Sequence, residues 1–161
     1  MRAVRRAVPL FVAVALFAAG CGSSDSGATP TACLAPPPAY LKALEGAPGP
    51  ARLAGGTPIS DCLVKNQSAG DLADVGASLV RAGTLLSAAA RKDPGGEQTL
   101  RLGYLVGAVQ AGTSETSGIH TDLARRIEAA ARFAKPAGPG PGARAFGLTY
   151  ARGYAAGRSG G

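Results

Sequence analysis

Three successive stretches of the chain carry apolar residues at helical spacing, and no segment alternates with period two. In 71–91 the recurring positions are Leu72, Val75, Leu79, Leu86 and Ala90. Ser68 and Asp71 form an S-x-x-[DE] capping box at its start. Asp74, Ser78 and Arg81 fall on the opposite face, with Leu85 the exception, while Gly76 and Gly83 fall on the apolar one. A mid-helix glycine costs about 0.5–1 kcal/mol relative to alanine. Two on a buried face predict the close approach of another helix.

Residues 97–111 are apolar on both sides. Leu100, Gly103, Tyr104, Gly107 and Ala111 share one face, and Leu102, Leu105, Val106 and Val109 share the other. A helix with two apolar faces is buried, so this one is predicted to be central. Gly103-x-x-x-Gly107 has the spacing that lets helices touch in membranes. The run is shorter than the roughly 20 residues a span needs, so tight packing in a soluble core is expected. Residues 119–134 place Ile119, Leu123, Ile127, Ala130 and Ala134 inward. Asp122/Arg126 and Glu128/Arg132 are spaced for surface ion pairs along that helix. A last helix is expected at 143–157, with Phe146, Tyr150 and Tyr154 on one face, although three glycines weaken it. Shorter helical stretches are expected at 39–45 and 59–66. Loops rich in Pro and Gly fall at 46–58, 93–96 and 136–142, and a polar loop at 112–118. The expected fold is all-α, a small bundle of about four main helices with essentially no strand.

Composition limits how large the core can be. Ala, Gly and Pro supply 34, 24 and 12 of 161 residues, and aromatics only 5%. A collagen-like period is absent, and 46% hydrophobic content against 17% charge is too apolar for full disorder.

The N-terminus has a separate logic. Arg2, Arg5 and Arg6 precede an apolar run from Ala7 to Ala19, then Gly20 and Cys21. A basic start, a short apolar stretch and small residues before a cut site are the parts of a secretory signal peptide. Ala18-Ala19-Gly20-Cys21 resembles the lipobox of bacterial lipoproteins, with Ala18 where that family prefers Leu. The resemblance covers residues 1–21 and implies no fold. It implies cleavage before Cys21, a diacylglyceryl group on the Cys21 thiol, and a home on the extracytoplasmic face of the bacterial cell membrane. The Gly/Ser-rich residues that follow suit a tether. The expected division is a cleaved signal at 1–20, a flexible tether at 21–31, a helical domain at 32–157 and a disordered tail at 158–161.

Losing Arg2, Arg5 and Arg6 takes the formal net charge from +7 to +4. The remaining cations are scattered. Nucleic-acid binding requires a basic stripe or a recognisable module, so no nucleic-acid partner is expected. Cys33 and Cys62 enclose 28 residues. In an oxidising compartment such a pair is a structural disulfide. No C-x-x-C spacing suggests a redox or metal role instead.

No motif for zinc, di-iron, a nucleophile elbow or a phosphate loop occurs, so no catalytic residue, metal or cofactor is assigned. The densest polar cluster is 113–122, where Ser114, Glu115, Ser117, His120 and Asp122 are the candidate ligand-binding residues. Free N–H groups at a helix start favour anions. The plainer reading is that hydroxyls there cap helices and His120 packs at the border of the apolar face. Ser68 of the Asn66-Gln67-Ser68 sequon is likewise read as a cap.

The functional expectation is a lipid-anchored envelope protein acting as a non-enzymatic binding or structural component. Its partners would be the membrane through Cys21 and an envelope protein or a second copy. One alternative is a small-molecule or anion binder, with a cleft near 113–122 and the Phe146/Tyr150/Tyr154 face. Another is a minimal hydrolase using Glu115 or His120.

Overall fold

The computed structural model describes residues 28–116 and 118–161. The expected signal segment, Cys21 and most of the expected tether lie outside these residues, as does Ser117. Five α-helices follow in order: α1 (Pro37–Ala43), α2 (Ala69–Ala90), α3 (Glu97–Ser114), α4 (Thr121–Ala134) and α5 (Pro141–Gly160). Short 3-10 turns occupy Thr31–Leu34, Leu44–Gly46, Ala54–Gly56 and Ser60–Cys62. Among the described residues there is no strand, only one isolated bridge between Arg52 and Pro58. The fold is an all-α bundle of four long helices and one short one, and the Cys33–Cys62 disulfide closes its N-terminal part. None of the described helices is long and apolar enough to cross a membrane.

Local chemistry sets the boundaries. The Ser68 hydroxyl accepts from the Asp71 N–H at 3.1 Å, capping α2 as the sequence predicts. Prolines open α1 and α5, where a missing N–H costs nothing. The tight turn after α2 reverses the chain, and Thr99 Oγ1 donates to the Asp93 carbonyl across it at 3.3 Å.

α3 is the central helix, and its two faces meet different partners. On one side Leu105 meets α2 at Gly83, beside Ile127 of α4. On the other side α3 and α5 touch backbone to backbone. A Cβ on Gly103 would lie 3.0 Å from the Tyr154 nitrogen and closer still to the Tyr150 carbonyl oxygen. A Cβ on Gly107 would lie 2.9 Å from the Arg158 nitrogen and closer to the Tyr154 carbonyl oxygen. α5 answers with Gly153 against the backbone of Leu100 and Tyr104, and Gly157 against that of Tyr104 and Ala108. The paired positions rise together along both helices, so α3 and α5 run parallel, with α4 as the return between them.

Several expectations change. Residues 59–66 form only the Ser60–Cys62 turn, because Leu63 leaves helical geometry at φ −107, ψ 83. α3 runs on through Gly112, Thr113 and Ser114, which the sequence assigns to a loop. Gly112 lets it pack against the Ser60 carbonyl and Leu63, and the Thr113 and Ser114 hydroxyls donate back to the Gln110 and Ala111 carbonyls. Ile119 and His120 precede α4, and their roles swap: Ile119 is exposed and His120 is buried. Arg158, Ser159 and Gly160 are not a disordered tail but the last turn of α5, held by the packing of Gly157 and by Ser60, whose hydroxyl donates to the Gly161 carbonyl. Ser78 is buried, donating to the Ala35 carbonyl at 3.0 Å. The close approach predicted at Gly76 and Gly83 does not occur there. A Cβ would meet Leu123 at 3.8 Å in the first case, and Leu105 and Ile127 at 3.7 and 3.8 Å in the second. Of the two ion pairs expected on α4, Glu128–Arg132 is present at 3.8 Å.

Candidate functional site

The 113–122 cluster does not converge on one point. Ser114, Glu115 and Asp122 are exposed, Thr116 and His120 are buried, and Ser117 lies outside the described residues. The Thr116 hydroxyl donates to the Thr113 carbonyl at 3.0 Å, and Ser114 is spent on the Ala111 carbonyl. These are bonds that finish α3. His120 is the exception, because its whole ring is enclosed.

The partner of His120 is Gln67, which the sequence offers only as the middle of a sequon. Gln67 Nε2 donates to the Cys62 carbonyl and to Thr29 Oγ1, both at 3.0 Å. Its Oε1 is thereby left facing His120 Nε2 at 2.7 Å. An amide oxygen only accepts, so the imidazole carries its proton on Nε2. His120 Nδ1 has no hydrogen-bond partner among the described residues. Burial lowers the pKa of His120 below the ordinary histidine value, because the charged ring would lose its solvation. The arrangement fixes a neutral imidazole between the α4 start and the disulfide segment. His120 and Glu115 do not meet, since Glu115 is solvent-exposed and His120 is enclosed.

A concave site lies elsewhere, between α4 and α5. Its volume is about 300 Å³, and its walls are Glu128, Ala131, Arg132 and Lys135 of the α4 side and Phe146, Gly147 and Tyr150 of α5. Phe146, Tyr150 and Tyr154 repeat every four residues, so their rings stack along α5. The first pair is 5.6 Å apart at 12° and the second 6.2 Å apart at 22°. Behind them, Tyr154 Oη donates to Gln110 Oε1 at 2.7 Å. Gln110 Nε2 donates in turn to Glu128, whose other oxygen lies 3.8 Å from Arg132. Glu128 is therefore engaged by its neighbours, while the side chains of Arg132 and Lys135 stay exposed at the rim. Burial pushes the Tyr150 phenol up to about 12, with Tyr154 and Glu128 adding to the rise and Arg132 opposing it.

The aromatic ladder is visible in the sequence. Arg132 and Lys135 are not, because their place beside it depends on how α4 passes α5. The cleft suits a flat apolar group bearing negative charge, with rings to stack on and two cations at the edge. Among the described residues no group of three or more His, Cys, Asp or Glu is placed to hold a metal ion. Comparison with protein-family models, with curated proteins and with solved structures finds no match for this chain.

Proposed function

We propose that this chain is a lipid-anchored bacterial envelope protein whose helical domain is a binding module, taking a small planar anion in the α4–α5 cleft without transforming it. The observation that carries the reading is the stacked Phe146 and Tyr150 wall sharing one cleft with Arg132 and Lys135. At about 300 Å³ the cleft is at the small end of ligand sites and suits one or two fused rings. Stacking and a cation beside the ring each contribute on the order of 1 kcal/mol, so binding is modest and depends on both. The anchor rests on Ala18-Ala19-Gly20-Cys21 and on the Gly/Ser-rich residues after it. Two or more acyl chains are enough for stable attachment.

The binding test is a melting series on the mature chain with benzoate, naphthoate and phenyl phosphate. Their neutral amides and inorganic phosphate serve as controls. The aromatic anions should raise Tm and quench tyrosine emission, which no tryptophan obscures. Gly147→Leu should abolish the shift: a Cβ on Gly147 meets nothing within 4 Å, so a side chain there enters the cleft space without disturbing the fold. No shift with any aromatic anion at about 10 mM would refute the binding reading, since saturating ligand stabilises by mass action. For the anchor, an alkyne fatty acid fed to cells should label the wild type and not Cys21→Ala. Equal labelling of both would refute it.

A further inference from the structure

A second concavity, larger than the α4–α5 cleft, is a groove of about 950 Å³ at the N-terminal end. Three segments form it: the Thr31–Leu34 turn, α1, and the turn through Pro50 to Gly55. Ala32 and Ala39 give it a small, apolar floor, closed at one side by Leu53. The only charged residues lining it are Lys42 and Arg52. Both are exposed, and neither makes an ion pair within 4.0 Å among the described residues.

The walls are held from behind. Cys33 is bonded to Cys62, and Tyr40 Oη donates to the Cys33 carbonyl at 2.6 Å. The Ala51 N–H donates to Tyr104 Oη at 3.0 Å, tying the third wall to the buried centre of α3. The Leu53 N–H donates to the Thr57 carbonyl at 2.9 Å, which closes that wall into a turn. At its tip Gly55 and Gly56 take positive φ, and a Cβ on either would meet nothing within 4 Å. The groove is thus preformed and open at its edge.

We propose that this groove is the face on which the domain rests on an anionic phospholipid surface. The inference rests on the acylation of Cys21 proposed above. Thr31 is both a wall of the groove and the tenth residue after Cys21. Ten residues reach at most about 36 Å in any conformation. The groove therefore stays within that distance of the acyl chains, whichever way the rest of the domain turns. Confinement raises the effective concentration of lipid at the groove, so contacts too weak for a free protein suffice. Lys42 and Arg52 complement phosphate headgroups, and the apolar floor meets the boundary beneath them. A soluble ligand would require polar groups placed to orient it. Among the groove's neutral side chains only the Thr31 hydroxyl is polar.

Lysine footprinting of the acylated chain reads this directly. The chain has four lysines, and Lys65, Lys92 and Lys135 are exposed away from the groove, so they serve as internal references. The protein is reconstituted into vesicles containing one-third phosphatidylglycerol, into pure phosphatidylcholine vesicles, and into micelles. On the anionic vesicles Lys42 labelling should fall about five-fold or more against both controls, with the references little changed, a cation at such a surface being worth a factor of that size. Arg52→Glu, at an exposed position, should restore Lys42 labelling with Tm and acylation unchanged. Equal Lys42 labelling in all three settings overturns the proposal. So does shielding already present in micelles, which marks a soluble ligand, or shielding that grows with protein concentration, which marks a second copy. Mass spectrometry of the same sample separates the two readings. An unacylated Cys21 overturns the anchor and the docking together, whereas an acylated chain with an open Lys42 overturns the docking alone.

Discussion

Gly157 of α5 lies directly against the backbone of Tyr104 on α3, so closely that a Cβ would sit 2.9 Å from the next turn's Ala108 nitrogen. Gly107 makes the reciprocal contact, with a Cβ 2.9 Å from the Arg158 nitrogen. Two helices whose backbones touch have no side chain able to yield. Their stability comes from dispersion between main chains and from the weak C–H to carbonyl contacts such proximity allows. The scarcity of large side chains is thereby turned into close packing.

The first prediction is a contrast between glycines. Gly107→Ala and Gly157→Ala should each destabilise by about 2–3 kcal/mol, because the added methyl meets backbone and the helices must separate. Gly76→Ala and Gly83→Ala should be neutral or should stabilise by about 0.5–1 kcal/mol. Their added methyls make ordinary contacts, and the helix gains propensity. Urea denaturation of the four variants checks this. Similar losses at all four would mean that the α3–α5 contact is not special.

The disulfide gives the second. Cys33 and Cys62 are separated by 29 positions, and closing a loop of that size stabilises by about 3–4 kcal/mol in the chain-entropy account. Cys33→Ser with Cys62→Ser should lower stability by that order and loosen the N-terminal segment before the helices. Hydrogen exchange should show residues 31–66 losing protection first. Uniform loss across α2 to α5 would show that the bond supports the whole bundle equally.

The sequence makes α3 legible because its apolar residues occupy two opposed faces, and burial on both sides is the one way to satisfy them. It locates α5 at 143–157 but stops it short of Gly160, for a physical reason. Glycine lowers local helix propensity, yet Gly153 and Gly157 are what allow α5 to seat on α3, and the last turn follows from that tertiary contact. Their four-residue spacing matches that of Gly103 and Gly107, and it is the signal that identifies the partner helix. Gly76 and Gly83 lie seven apart and meet only side chains. The cleft is half legible. The ring ladder follows from i, i+4 spacing on one helix, whereas Arg132 and Lys135 join it through the path of another. The pairing of His120 with Gln67, 53 positions earlier, has no local signature at all.

The third prediction concerns alkaline pH. The Tyr150 phenol is pushed up to about 12 in the folded state, mainly by burial, against about 10 in an unfolded chain. Burial raises Tyr40 as well. A raised acid contributes nothing to pH dependence below the unfolded value. Above it the unfolded chain sheds its proton first, so stability falls as pH rises from about 10 through 12. Tyr150→Phe should flatten that loss in part. A titration of tyrosinate absorbance showing four phenols ionising together near 10 would contradict it.

The fourth prediction tests what His120 does. The ring is neutral, protonated on Nε2 by the demand of Gln67 Oε1, and fully enclosed. Its folded pKa is lowered, so above the unfolded value of about 6.5 both states are neutral and stability is flat. As pH falls below 6.5 the unfolded chain takes up the proton first, and stability declines until the folded value is passed. His120→Ala should therefore have two effects that belong together. It should cost about 2–3 kcal/mol at neutral pH, because a cavity opens and Gln67 Oε1 loses its donor. It should also flatten the decline that sets in below about pH 6.5. Gln67→Leu should destabilise as well while leaving the histidine's pH dependence in place, since the ring stays buried. If His120→Ala folds with unchanged stability but loses binding of a ligand, the imidazole serves a site rather than the core, and the packing role assigned to it is wrong.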